Sequence, residues 1–107
     1  MMQHIYLDTI QWKEPVTGFK VRFVHSANMT LGYFDITAGA SLPEHAHPHE
    51  QVTSVIEGEF ELTVDGESKT LGPGSVVIIP SNAKHSGRSI TNSRIIDVFH
   101  PVREDYR

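Results

Sequence analysis

The sequence predicts one all-β domain, and three features carry that prediction. Short runs that alternate polar and apolar residues, or that are rich in β-branched side chains, recur about every 8–12 residues, while helical periodicity is scarce. Glycine and proline punctuate the runs: Thr17-Gly18, Ala38-Gly39, Glu57-Gly58, Asp65-Gly66 and Gly72-Pro73-Gly74 supply the positive or fixed φ that turns need. Finally, 107 residues leave room for a single core that takes in roughly two-thirds of the unfolded surface, so one domain spanning residues 1–107 is expected.

In chain order, the expected strands are Ile5–Leu7, Lys20–His25, Thr30–Ile36, Glu44–His47, Gln51–Glu57, Glu59–Val64, Glu67–Leu71, Ser75–Ile79, His85–Ser89 and Arg94–Phe99. Asp65-Gly66, set between FELTV and ESKTL, has the form of a type I′ hairpin turn. Val76-Val77-Ile78-Ile79 is a continuous apolar run and reads as a strand buried on both faces, or one leading straight into the core, ended by Pro80. The polar end, Arg103-Glu104-Asp105-Tyr106-Arg107, reads as a fraying tail or a short turn folded back over the barrel mouth.

A hydrophobic content of 38% with 21% charged residues is ordinary for a folded globular chain. The net charge of −4, with no basic run, argues against a nucleic-acid partner. No cysteine is present, so no disulfide is needed, and no basic start followed by an apolar run marks a secretory signal. Nothing approaches the ~20 apolar residues of a membrane helix, and the expected location is the cytoplasm.

The chemistry concentrates in residues 39–58, GASLPEHAHPHEQVTSVIEG. His45 and His47 are two apart, so a strand through both would aim both imidazoles at one cavity, and Gln51 keeps the even spacing beyond the Pro48-His49 bend. Glu50 would face the other way, and His85 in IPSNAKHSG is the candidate fourth ligand. Three imidazoles and an amide oxygen form a neutral donor set suited to one divalent transition metal, Zn, Ni, Mn or Fe. One or two open positions would remain for chemistry.

These segments resemble the two motifs of the cupin superfamily. Gly39, five residues, His45-Ala46-His47, three residues, Gln51, six residues and Gly58 follow the first, with glutamine where glutamate is commoner. Gly74, Pro80 and His85 follow the second within residues 74–89, with Asn82 in a glycine slot and Ser89 in the asparagine slot. The resemblance implies a double-stranded β-helix, the jelly-roll barrel, and a bound metal. It does not choose a reaction. Glutamine brings no charge to the ion, which favours a Lewis-acid role over an oxidative one.

The last strand adds a clue. Asp97 and Phe99 share a face, and Arg103 lies just beyond the Pro101 bend. A carboxylate-binding Arg103, a ring-contacting Phe99 and a proton-moving Asp97 would suit a sugar acid; the plain structural alternative is an ion pair between Asp97 and Arg103. HAHPHEQ and the ending DVFHPVREDYR are similar to the small pectin-degradation cupins, which linearise unsaturated uronates. That resemblance implies metal ligation by His45, His47, Gln51 and His85, catalysis by Asp97, and substrate binding by Arg103 and Phe99. Two alternatives stand beside it: a cupin-type metal-dependent dioxygenase, and a non-catalytic small-molecule or sugar-binding module. His49 reads as a solvated turn residue or a donor to a ligand, and Trp12 as packing an N-terminal segment against the barrel or another subunit. Small cupins often pair through N-terminal strands, so a homodimer is expected, with an exposed sheet edge as the physical reason.

Overall fold

Alternation along Phe19-Lys20-Val21-Arg22-Phe23 buries Phe19, Val21 and Phe23 and turns Lys20 and Arg22 outward. The same device builds most of the chain. The computed structural model describes residues 1–107. Its strands are β1 (Lys13–Val16), β2 (Phe19–His25), β3 (Thr30–Ile36), β4 (Ser41–His45), β5 (Glu50–Glu57), β6 (Phe60–Val64), β7 (Glu67–Leu71), β8 (Val76–Ile79), β9 (His85–Ser89) and β10 (Ser93–His100). They form a six-stranded sheet, β1-β2-β3-β10-β5-β8, facing a four-stranded sheet, β4-β9-β6-β7. Every pairing is antiparallel. This is the jelly-roll arrangement the motifs implied.

The core between the sheets is built on Phe19, Ile36, Val55, Phe60, Leu62 and Ile79, with Phe19 and Phe60 meeting edge to face at 6.3 Å. The hairpin at Asp65-Gly66 has φ of 48° and 82°, the two positive values that a type I′ turn requires. Asn82 takes the left-handed backbone of its motif slot at φ 66°. Gly58, φ 81°, could not be another residue, because a Cβ there would strike the Asn92 carbonyl oxygen and Ser93.

Three expectations are corrected. Ile5–Leu7 is not a strand; a 3-10 turn covers Leu7–Thr9 instead, and the first strand is Lys13–Val16. Pro15 lies within that strand and is tolerated because β1 is a sheet edge. The Glu44–His47 strand stops at His45, so His47 sits in the bend before β5. Nor is Val76–Ile79 buried on both faces: β8 is the other edge of its sheet, and Val76 and Ile78 are 62% and 65% exposed. A continuous apolar run therefore signalled one buried face and one bare apolar face.

Candidate metal centre

His45 ends β4 and pairs in register with His85, which opens β9. His47 lies in the bend that follows, and Gln51 is the second residue of β5, with its side chain buried while Glu50 is exposed. These segments bring one coordinating atom from each of the three histidines within 4.8 Å of one another. Three donor atoms so spaced form a candidate set for one ion. Gln51 joins them, its Oε1 3.1 Å from His47 Nε2.

The histidines are oriented by backbone. His45 Nδ1 lies 2.8 Å from the Pro43 carbonyl, His47 Nδ1 3.0 Å from that of His49, and His85 Nδ1 2.9 Å from that of Ala83. A carbonyl only accepts, so each Nδ1 carries the proton and each Nε2 presents a lone pair to the common centre. Burial, with Arg103 and His85 close by, lowers the pKa of His47 to about 4, and burial likewise lowers that of His85. Both rings are neutral near pH 7. A neutral His47 has one N–H but faces two acceptors, the His49 carbonyl and Gln51 Oε1. With the proton on Nδ1, two lone pairs confront each other across 3.1 Å, a contact that a cation turns from repulsive to attractive. The donor set thus fits a divalent transition metal. His49 contributes through its main chain.

Gln51 presents oxygen rather than nitrogen because its amide is anchored from behind. Its Nε2 donates to Thr53 Oγ1 at 3.0 Å, and the Thr53 hydroxyl donates to Asp97 Oδ1 at 2.7 Å. Asp97 is buried on β10, and burial raises its pKa from 3.8 to about 6 despite the bonds from Thr53 and Gln51 and the charge of Arg103. The register places Asp97 opposite Thr53, and Phe99 opposite Gln51.

Beside this centre lies a cavity of about 310 Å³ whose walls include the four candidate ligands, Asp97, Phe99, Arg103 and Tyr106. The Phe99 ring is 5.7 Å from that of His47. Arg103 lies against both Phe99 and Tyr106, its guanidinium carbon 4.8 Å and 4.2 Å from the two ring centres, in the corner these edge-to-face rings make. It pairs not with Asp97 but with Asp105, through Nε at 2.9 Å and Nη2 at 2.7 Å. The C-terminal residues are therefore a turn over the mouth rather than a fraying tail. Tyr106 stacks on Phe23 at 4.5 Å, Lys13 Nζ donates to the Tyr106 carbonyl, and the Arg103 N–H donates to Thr30 Oγ1.

All seven candidate residues, His45, His47, Gln51, His85, Asp97, Phe99 and Arg103, line one cavity. Sequence reasoning missed Thr53, Asp105 and Tyr106. Thr53 shares the inward face of β5 with Gln51, and that spacing was the available signal; nothing local marked Asp105 as the partner of Arg103.

The sequence matches the family model described as a Cupin domain over residues 32–99. The chain belongs to the cupin family. Among its relatives, the cupin is 28% identical to the pectin degradation protein KdgF of Dickeya dadantii, over 99% of both chains. It superposes on an RmlC-like cupin from Shewanella frigidimarina with a TM-score of 0.92 and 29% identity, covering 100% of this chain and 97% of that one. The structure of KdgF from Halomonas sp. gives the same TM-score of 0.92 at 24% identity over the whole of both chains, a likeness of fold.

Proposed function

We propose that this cupin is a metal-dependent enzyme of pectin breakdown that opens the ring of a 4,5-unsaturated uronate. The observation that carries the reading is the placement of a buried carboxyl, Asp97, and a buried guanidinium, Arg103, on the wall of the cavity that holds the His45, His47, His85 and Gln51 donor set. The full-length relationship to a pectin degradation protein supports the substrate class.

His45, His47, Gln51 and His85 would hold the ion. When bound, the metal supplies Lewis-acid polarisation of substrate oxygens. Arg103 binds the uronate carboxylate through the guanidinium edge left free by Asp105, which occupies Nε and Nη2. Phe99, on the wall between Arg103 and the ligands, lies along the sugar ring.

The reaction is an isomerisation and needs no co-reactant. The hemiacetal hydroxyl loses its proton, the bond from C1 to the ring oxygen breaks to leave an aldehyde, and the released enolate takes up a proton at C4 to become a ketone. Asp97 accepts the first proton and returns one to carbon. A carboxyl whose pKa stands at about 6 exchanges protons readily near neutrality.

Loss of the absorbance of the unsaturated uronate on addition of metal-loaded protein tests the proposal. Asp97→Asn should lower kcat by about 10²–10⁴ with metal content unchanged. Substrate binding without turnover in the unaltered protein would return the chain to a sugar-binding role, and full activity in the variant would remove Asp97 from the proton path.

A further inference from the structure

We propose that His25 and Thr30 are positioning residues for Arg103: a hydrogen-bond relay from the His25 ring through the Thr30 hydroxyl fixes the main chain from which the guanidinium reaches the cavity. This holding role rests on the reading of Arg103 as the carboxylate-binding residue, and adds what keeps that residue in place. Strand alternation sets up the relay. Phe19, Val21, Phe23 and His25 take successive inward positions on β2, so an imidazole stands where a fourth apolar side chain would serve packing. In the sheet register His25 lies beside Thr30, Thr30 beside Phe99, and Phe99 beside Gln51. One inward row thus runs from His25 to a candidate ligand.

The direction of each bond in the relay follows from what each group can donate. Thr30 is fully buried at 0% exposure. Its Oγ1 lies 2.8 Å from the Arg103 main-chain nitrogen and 2.8 Å from His25 Nδ1. An N–H only donates, so the Arg103 contact uses a lone pair of the hydroxyl and leaves its hydrogen to be placed. With solvent shut out, His25 Nδ1 is the partner that remains. The hydroxyl therefore donates to Nδ1, and the ring carries its own hydrogen on Nε2. A hydroxyl rotates to suit its surroundings. The His25 lone pair stops that rotation and keeps an oxygen lone pair aimed at Arg103.

The main chain at Arg103 depends on this bond. β10 ends at His100 and the turn Glu104–Tyr106 comes next, so Arg103 lies outside the sheet ladder. Its N–H meets no main-chain carbonyl, and Thr30 Oγ1 is its partner. The side chain is braced from the same strand. The His25 ring lies nearly parallel to Phe23 at 5.9 Å, Phe23 stacks on Tyr106 at 4.5 Å, and the Arg103 guanidinium carbon rests 4.2 Å from the Tyr106 ring centre. Asp105 orients the guanidinium through two hydrogen bonds, but it belongs to the same turn and moves with it. Contacts from β2 and β3 are what tie that turn to the barrel wall.

Steady-state kinetics of the metal-loaded protein on the unsaturated uronate, with amide hydrogen exchange on the same variants, tests the assignment. Thr30→Val keeps the shape of the side chain and removes the hydroxyl, whereas His25→Phe keeps a ring on Phe23 and removes the acceptor. Each should raise KM about tenfold with kcat little changed, because a loosened Arg103 weakens binding of the carboxylate in ground state and transition state alike. Thr30→Ser keeps the hydroxyl, and His25→Asn offers an amide oxygen near the Nδ1 position, so both should keep KM close to that of the unaltered protein. The Arg103 amide should exchange about tenfold faster in Thr30→Val than in Thr30→Ser, a comparison that needs no substrate. An unaltered protein without turnover on the uronate would remove the reaction proposed above, while the exchange comparison still decides the hold on Arg103. Equal exchange and equal KM in Thr30→Ser and Thr30→Val, an unchanged KM in His25→Phe, or a loss confined to kcat would each overturn the relay.

Discussion

At the scale of single residues, the centre is a chain of dependencies running inward from the candidate ligands. Spacing picked out His45, His47, Gln51 and His85 as one set, and the fold brings them to one cavity; metal chemistry would constrain residue type and interval together. Thr53 was not legible, since a threonine on a strand is ordinary and only the pairing of β5 with β10 brings it to Asp97. Removing its hydroxyl by Thr53→Val frees the Gln51 amide to rotate, and metal affinity in a chelator competition should fall about tenfold; unchanged affinity would mean Gln51 is oriented by something else. Asp97 invites a stability test as well. Its carboxyl titrates at about 6 when folded and at 3.8 otherwise, so the folded state holds the extra proton between those values and stability declines as pH rises through them. In metal-free protein, Asp97→Asn should therefore be more stable than the unaltered chain by about 3 kcal/mol at pH 8. The difference should vanish near pH 4 in urea unfolding, and a gain equal at both pH values would contradict the buried-charge account.

At the scale of elements, hairpins and interior strands were readable because alternation and turn chemistry are local, as Asp65-Gly66 shows. The two sheet edges were not. β1 is polar and holds a proline, and β8 is apolar on both faces, so neither carries the signature of its true burial. Turns give a graded prediction. Gly66→Ala, with open space around a φ of 82°, should cost about 1 kcal/mol, whereas Gly58→Ala adds a collision with Asn92 and Ser93 and should cost clearly more. Equal losses in chemical denaturation would show that the collision at Gly58 relaxes freely. The C-terminal turn responds to acid. The Arg103 hydrogen bonds hold the pKa of Asp105 below its usual value, so the turn's ion pair contributes above the unfolded carboxylate range and is lost as pH falls through the lower folded value. Asp105 is half exposed, and the contribution is small. The Tyr106 ring resonances should nevertheless shift in acid, and Asp105→Asn should abolish that shift; a shift that survives the substitution would assign the titration to another group.

At the scale of the whole molecule, the candidate ligands straddle the architecture. His45 and His85 belong to the four-stranded sheet, Gln51 to the six-stranded sheet, and His47 to the bend that joins them. That distribution was invisible in the spacing, which sets intervals along the chain but not which sheet each interval enters. It has a thermodynamic consequence. An ion bound to all four holds the sheets together in the folded state and finds no such arrangement in the unfolded chain, so binding adds to stability by mass action. With free metal at a thousand times its dissociation constant, the gain is about 4 kcal/mol, and for a domain of this size chelation should lower the melting temperature by about 15 °C or more. Gln51→Ala and His85→Ala delete one ligand from each sheet, and each should shrink the chelator-induced shift while leaving the metal-free melting temperature less affected. If the variants kept the full shift, the ion would be bound elsewhere, and the inward-facing nitrogens would be cavity lining only.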